Sequence, residues 1–595
     1  MVLSALGILV LYSGLTVYND ISFLMSSLDW FILIGTLLTI VGYGVWKTRG
    51  SSDLSSFLKG NNDGKWWGIG ISIMATQASA ITFLSTPGQA YTDGMRFLQF
   101  YLGLPIAMVI LCITFVPIFY RLKVYTAYEY LESRFDLKTR TLAAILFLVQ
   151  RGLAAGITIY APAIILSTLL HWNLTLTNLF IGVLVIIYTV SGGTKAVTQT
   201  QKQQMAVMMG GMILAGILVL NMLPEQIGLF DAMTIAGKLG KMNLINFEFD
   251  LDDRYNFWTG TTAALFLFLS YFGTDQSQVQ RYLTGKSLAE SRLGLIMNGL
   301  LKVPMQFIIL FIGLLVFVFY QYNSPPVFFN KVELEQLKQS EYKTILAELE
   351  DRFITLHDEK KRAIEIMISN QSKNINDEIL DQKLLNLENE MKGVRTDVKA
   401  LVKTNNPNAE INDKDYIFMS YVMDYLPHGI IGLLFAVMFS AAMSSTASEL
   451  NALASTTTVD LYKRSLVKNK TEYHYLKSSK YFTFLWGILA IIFATTASLF
   501  ENLIQAVNLL GSLFYGTILG IFIVAFYFKK IQANAVFYAA IFAEMAVIII
   551  HYFNTLENPP VWLKMGYLWY NIVGCSLVVI FGFLLQSLIR QKKII

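Results

Sequence analysis

Apolar stretches of about 20 residues, each long enough to cross a bilayer as a helix, recur thirteen times along this chain. They run near 28–46, 65–91, 95–120, 141–171, 174–191, 203–223, 256–274, 293–322, 428–458, 481–499, 502–528, 532–552 and 566–589. No soluble core absorbs so much apolar surface, and lipid admits only structures that satisfy their own backbone hydrogen bonds. The expected fold class is therefore an all-α polytopic membrane protein, with the lipid bilayer as its surroundings. Composition agrees, because 54% of the 595 residues are hydrophobic and only 15% are charged. The net charge of +5 does not signal nucleic acid, since the basic residues sit in short loops beside apolar runs rather than in one patch. Cys112 and Cys575 both fall inside spans and read as packing residues, not as a disulfide.

Orientation follows from the loops, because Lys and Arg are retained on the cytoplasmic side. Placing the first span out-to-in puts KTRGSSDLSSFLKGNNDGK, RLKVYTAYEYLESRFDLKTR, QRYLTGKSLAESR, KRSLVKNKTEYHYLKSSK and RQKKII inside. Roughly 25 basic residues then face the cytoplasm against about 5 in the short outer loops. A protein of the cell (inner) membrane is expected, with its N-terminus outside and its C-terminus cytoplasmic. Residues 1–27 are an N-terminal segment of uncertain status: MVLSALGILVLYSGLTVYND lacks the basic region of a signal peptide and is short for a span, which suits an interfacial helix or a start at Met25. Residues 28–64 hold a peripheral first span and a cytoplasmic loop, 65–322 seven core helices, 416–530 three more, and 531–595 two peripheral spans. Residues 323–415 break the apolar pattern on the outer side. There Leu380, Leu384, Leu387, Met391, Val394, Val398 and Leu401 form one seam, and Tyr342, Ile345, Leu349, Phe353 and Leu356 an earlier one. Two helices packed as an antiparallel hairpin satisfy both, as a structural insert or as a docking surface for an unknown partner.

Polar groups within the spans carry the functional reading. The span at 65–91 reads ATQASAITF at its middle, small and polar where lipid favours Leu or Ile. Where such residues let a helix unwind, freed carbonyls coordinate cations near the midplane. A second span, LLFAVMFSAAMSSTASELNALASTTTVDLY, is dense in Ser, Thr and Ala, which suits close packing as well as oxygen coordination. Oxygen ligands without a His or Cys cluster point to sodium rather than a transition metal. Ionisable residues in the spans are Arg151, Asp275, Lys302, Glu449 and Glu544, each costing about 2.5–3.5 kcal/mol to insert. Their bland readings are that Asp275 reaches water at a span boundary, Lys302 snorkels, Arg151 is neutralised by a carboxylate and Glu544 is structural or interfacial.

WWGIGISIMATQASAITFLSTPGQAY, SGGTKAV, GTDQSQVQRYLTGKS and SAAMSSTASELNALASTTTVDLY, in that order, resemble the sodium/solute symporter family of sugar, sialic acid, proline, vitamin and iodide carriers. The resemblance covers roughly residues 28–530 without the hairpin. It implies two inverted five-helix repeats with discontinuous first and sixth core helices. It also implies a sodium site from the carbonyls of Ala75, Ala78 and Ala441 and the hydroxyls of Ser444 and Ser445. A second sodium, which some relatives hold on an aspartate, is disfavoured by Gln201 and Ala447 at the matching positions, with Lys202 alongside. By the same resemblance the solute would meet Gln77, Thr82, Tyr101, Asp275 and Lys302. Tyr101 stands where a sugar carrier has glutamate, and Arg151 with Lys302 would suit a carboxylate. The function implied is import of a small polar solute with one sodium per cycle by alternating access, the solute a sugar, polyol or sugar acid. Alternatives are a monocarboxylate or vitamin-like anion, or proton coupling through Asp275 or Glu449. No phosphate-binding loop and no recognisable nucleophile and base set are present in the sequence, so an enzyme is not expected.

Overall fold

The computed structural model describes residues 25–48, 63–170, 173–495 and 503–589, apart from the single positions 374, 376, 408, 557 and 562. The reading of the first 24 residues as an interfacial helix or an untranslated leader lies outside the described residues. Those described form helices and no β-strand.

Helix α1 (Ser27–Thr48) is fixed at its start by Asp29, whose carboxylate accepts the Gly429 and Gly432 amides at 2.6 and 3.0 Å and so ties it to a later helix N-terminus. The next passage is in two pieces, α2 (Trp66–Gln77) and α3 (Ala80–Asp93), because Ala78 (ψ 79°) and Ser79 (ψ 175°) leave the helical region. Gly94, at φ +76°, ends α3, and a 3₁₀ segment (Gly94–Tyr101) leads into α4 (Gly103–Ile113) and α5 (Phe115–Leu122). Then come α6 (Glu129–Arg134), α7 (Leu137–Leu170), α8 (Leu174–Asn221) and α9 (Leu229–Lys238). A π turn at Thr259–Ala263 opens a second broken passage, α10 (Ala264–Gly273) and α11 (Gln276–Tyr282). The break falls at Thr274 and Asp275, and Asp275 caps α11 by accepting the Ser277 amide at 2.8 Å. Helix α12 (Leu288–Tyr322) precedes the insert, made of α13 (Lys331–Lys338), α14 (Lys343–Ser372) and α15 (Glu378–Asn405). The chain continues through α16 (Ile417–Tyr425), α17 (Ile430–Thr456), α18 (Glu472–Ala494), α19 (Leu503–Tyr527), α20 (Ala533–Asn554) and α21 (Tyr570–Leu588).

Contacts fix the directions of these helices. Gly70 meets Gly294 and Gly313 meets Pro87, so small residues let α12 lie along both halves of the first broken passage. Gly299 meets Pro105, and the Cys112 carbonyl accepts from Arg292 Nε at 2.8 Å, so α4 runs back against α12. Helix α8 is continuous from Leu174 to Asn221, and its two halves pack on different partners. Gly182 and Ile186 meet Ile491 and Gly487 of α18, whereas Thr194, Gln201 and Gly211 meet Asn451, Ser448 and Val437 of α17. Helices α17 and α18 are themselves antiparallel, with Thr457 at Trp486 and Tyr462 at His474. Among the described residues nine helices are long and apolar enough to span by length and composition alone, and three shorter apolar helices accompany them.

The two broken passages are opposed. The first rises toward the insert, where Gly88 lies against the Lys414 backbone, while the second leaves Gln99 near that end and reaches Gly64 at the other, through Thr284. This is the inverted-repeat, amino-acid-transporter-like architecture, with discontinuous first and sixth core helices. The two free cysteines are buried in it. In the insert, α14 and α15 pair through Leu346, Phe353 and Leu356 against Leu387, Met391, Val394 and Val398. The earlier seam passes through Leu346 (1% exposed) and not Ile345 (47%), and α15 carries Val402 inward beyond Leu401.

Candidate functional site

The break in the first core passage faces α17 at its hydroxyl-rich stretch. Ala75, Ala78, Ala441, Ser444 and Ser445 are all buried. Ser444 Oγ donates across to the Ala75 carbonyl at 3.2 Å, and Ser445 Oγ donates to the Ala441 carbonyl at 3.0 Å. Ala78 closes α2 by donating its amide to the Met74 carbonyl. The oxygens these five residues offer are carbonyls and hydroxyls, the donor set a hard monovalent cation takes. Among the described residues no group of His, Cys, Asp and Glu suited to a metal exists.

Next to this set lies a neutral knot around Gln201. Its Oε1 accepts from Ser72 Oγ at 2.5 Å, and its Nε2 donates to Thr76 Oγ1 at 3.0 Å and Ser448 Oγ at 3.1 Å. Lys202 turns away from it, over the Trp67 ring at 4.6 Å.

A cavity of about 90 Å³ opens beside the break. Gln77, Thr82, Tyr101 and Arg151 line it, with Phe268 and Tyr271 of α10, Glu449 of α17, and Asn508 and Tyr515 of α19. Asp275 stands behind its wall. Arg151 Nε donates to Asp275 Oδ2 at 3.0 Å, a terminal nitrogen donates to the same oxygen, and the other donates to Glu449 Oε1 at 3.1 Å. The Tyr515 hydroxyl donates to Asp275 Oδ2 at 2.7 Å and accepts from Arg151. The guanidinium also lies over the Tyr271 ring at 5.3 Å. One cation is thus held by two carboxylates, which is the neutralisation expected of Arg151. It leaves its fork engaged by protein, so the pairing of Arg151 with Lys302 around a solute carboxylate is not what the geometry presents.

Two further expectations are corrected here. Asp275 does not reach water at a boundary, since it is 1% exposed and bonded on both oxygens. Lys302 does not snorkel: it is fully buried on α12, its ammonium has no hydrogen-bond partner among the described residues, and it is not part of the cavity wall. Glu544 is buried on α20. Sequence reasoning passed over Tyr515, the hydroxyl that joins Arg151 to Asp275. Its only signal is a tyrosine set between glycines in LLGSLFYGTILG, deep in an apolar span.

The model of the sodium:solute symporter family matches residues 57–336 and 395–543, which is well over half of the chain and brackets both broken passages. The chain belongs to the sodium:solute symporter family. Residues 337–394, most of the hairpin, lie between the two matched stretches of this symporter-family chain. The human sodium/iodide cotransporter is 33% identical over 50% of the chain and 46% of its own length. The mouse sodium-coupled monocarboxylate transporter 1 is 27% identical over 83% and 68%, and the sodium/sialic acid symporter SiaT of Proteus mirabilis 24% over 95% and 96%. The chain therefore spans about half the length of the first of these relatives and nearly all of the last. A solved Na⁺-coupled sialic acid symporter, in a substrate-bound outward-open state, shares the fold with a TM-score of 0.71 at 22% identity, over 95% of this chain and 98% of that one.

Proposed function

We propose that this symporter-family chain imports a small polar organic solute together with one sodium ion by alternating access. The observation that carries the reading is the meeting of the α2–α3 break with Ser444 and Ser445. In our reading the carbonyls of Ala75, Ala78 and Ala441 and both serine hydroxyls hold sodium, the hydroxyls turning their lone pairs to the ion. Sodium held between α2–α3 and α17 then favours one conformation over the other, and that difference couples it to the solute. A single sodium is supported by Gln201, a neutral amide whose polar atoms are occupied by Ser72, Thr76 and Ser448. Proton coupling is less well supported, because Asp275 and Glu449 are both held by Arg151.

Solute recognition is assigned to Gln77, Thr82 and Tyr101, with Arg151 and Asp275 shaping the wall. Lys302 is left as a second-rank candidate. Aromatic faces beside hydroxyls and amides suit a sugar, polyol or sugar acid, and the engaged Arg151 leaves no cation in the wall to fix a simple carboxylate. A monocarboxylate or similar anion is the second reading, favoured by similarity to the iodide and monocarboxylate cotransporters. The distribution of basic residues among the loops supports a hairpin outside and a C-terminus in the cytoplasm.

The test is thermal stabilisation of the purified protein against sugars, polyols, sugar acids and monocarboxylates, in sodium and in choline at fixed pH. Stabilisation by one solute class only in sodium is expected. Equal stabilisation in choline, shifting instead with pH, would sink the sodium reading.

A further inference from the structure

Where α14 and α15 overhang the end of α3, they enclose a chamber of about 400 Å³. Six cations line it, Lys241, Lys360, Lys392, Arg395, Lys399 and Lys414, against the three carboxylates Asp93, Glu388 and Asp413. Each carboxylate is already engaged. Asp413 is bound by Arg395 and by Lys399 at 2.8 Å, Glu388 by Lys360 at 2.7 Å and Lys392 at 3.7 Å, and Asp93 by Lys414 at 3.2 Å. The surplus is therefore positive, in a recess whose protein walls screen poorly.

Two lining groups lack the partner their chemistry wants. Lys241 has no carboxylate within ion-pair distance among the described residues; its ammonium donates to the Thr92 carbonyl at 2.5 Å and lies 4.9 Å from the Phe317 ring centre. Burial pushes that ammonium down to about 8. Tyr320, 1% exposed, carries a buried hydroxyl with no hydrogen-bond partner among the described residues. An oxyanion accepts from ammonium, guanidinium and phenol alike and so suits either group. The floor is rigid, because Met95 donates its amide to the Lys241 carbonyl at 2.9 Å and Gly88 abuts the Lys414 backbone. Lys360, Glu388 and Lys392 fall within residues 337–394, the stretch outside the family match.

We propose that this chamber binds a small anion of carboxylate or oxyanion chemistry, clasped between the hairpin and the end of α3. Such an anion is either the transported solute pausing before the core or a separate ion that braces the hairpin. Both share the recognition chemistry, and one experiment separates them. Purified full-length protein in sodium-free choline HEPES is titrated with phosphate and, separately, with gluconate at constant ionic strength, following the unfolding midpoint. A saturable rise is expected. Phosphate and gluconate acting alike indicate a bracing ion, and gluconate acting alone indicates a solute-class ligand; either supports the site. Lys241→Gln is expected to raise the half-saturating concentration about tenfold or more, as loss of a charge-assisted hydrogen bond does. Tyr320→Phe, which removes a hydroxyl without a hydrogen-bond partner among the described residues, is expected to raise it about fivefold. No saturable rise up to about 100 mM of either anion, or wild-type half-saturation in both Lys241→Gln and Tyr320→Phe, overturns the proposal.

Discussion

Ser444 and Ser445 sit one residue apart yet are bonded differently, and that sets the order of their effects. Ser444 spans two helices through the Ala75 carbonyl, whereas Ser445 bonds within its own helix to Ala441. Ser445→Ala should raise the sodium concentration giving half-maximal stabilisation by about tenfold, the worth of one hydroxyl on a cation. Ser444→Ala should do the same and also lower the sodium-free unfolding midpoint, because it cuts the tie between α17 and the break. If the double variant kept wild-type sodium dependence, the assigned site would be wrong. Arg151 makes a different kind of prediction. Replacing it by Met leaves Asp275 and Glu449 buried without their cation, and removing one partner of a buried pair costs about 3–5 kcal/mol. The unfolding midpoint of Arg151→Met should fall steeply, and adding Asp275→Asn and Glu449→Gln should restore much of it. No recovery in the triple variant would show that Arg151 acts by packing rather than charge.

At the scale of elements, the segment between the hairpin and α16 carries a partly buried acid. Glu410 accepts from the hydroxyls of Tyr160 at 2.9 Å and Tyr416 at 3.1 Å, so it joins the insert to α7. Burial, aided by the neighbouring Asp415 charge, raises its carboxyl to about 7. A folded value above the unfolded one means the folded state binds the proton more tightly. Glu410 therefore favours folding fully below about pH 4.5 and progressively less as pH rises through about 7. Glu410→Gln should leave the unfolding midpoint near wild type at about pH 5 and raise it at about pH 8, flattening the pH dependence. A parallel shift at both pH values would assign the effect to packing. The elements also show what a sequence can reveal. The break at Ala78 was legible because small polar residues in a spanning helix have few other uses, and the hairpin because its apolar residues step alternately by four and three. Ile345 was misread for the same reason: the step from Tyr342 is four, to Leu346, and keeping the alternation strict would have found it. What stayed hidden depends on which helices meet. Tyr515 reaches Asp275 across 240 positions of sequence, and Lys302 is enclosed by neighbours no local pattern names.

For the whole molecule the decisive quantity is charge moved per cycle. With one sodium and a neutral sugar or polyol, each cycle carries one net charge inward. A potential of about 100 mV then supplies about 2.3 kcal/mol and a tenfold sodium gradient about 1.4, enough for several hundredfold accumulation. With one sodium and a monovalent anion the cycle is electroneutral, the potential contributes nothing, and the same gradient supports only about tenfold. A neutral sugar or polyol is therefore separable from any monovalent anion, sugar acid or monocarboxylate, without crystallography. Proteoliposomes given an inward sodium gradient should concentrate a neutral solute further when a potassium diffusion potential is imposed, and an anionic one to the same level with or without it. Gln201→Asp extends the argument. It puts a carboxylate among Ser72, Thr76 and Ser448, oxygens that Gln201 now engages as a neutral amide. A second sodium should follow, seen as a steeper sodium dependence of uptake and an added charge per solute. An unchanged sodium slope and charge ratio would show that the neutral amide is not what limits the cycle to one ion, and would place that limit in Ala447, buried beside Ser448 without a hydroxyl to offer.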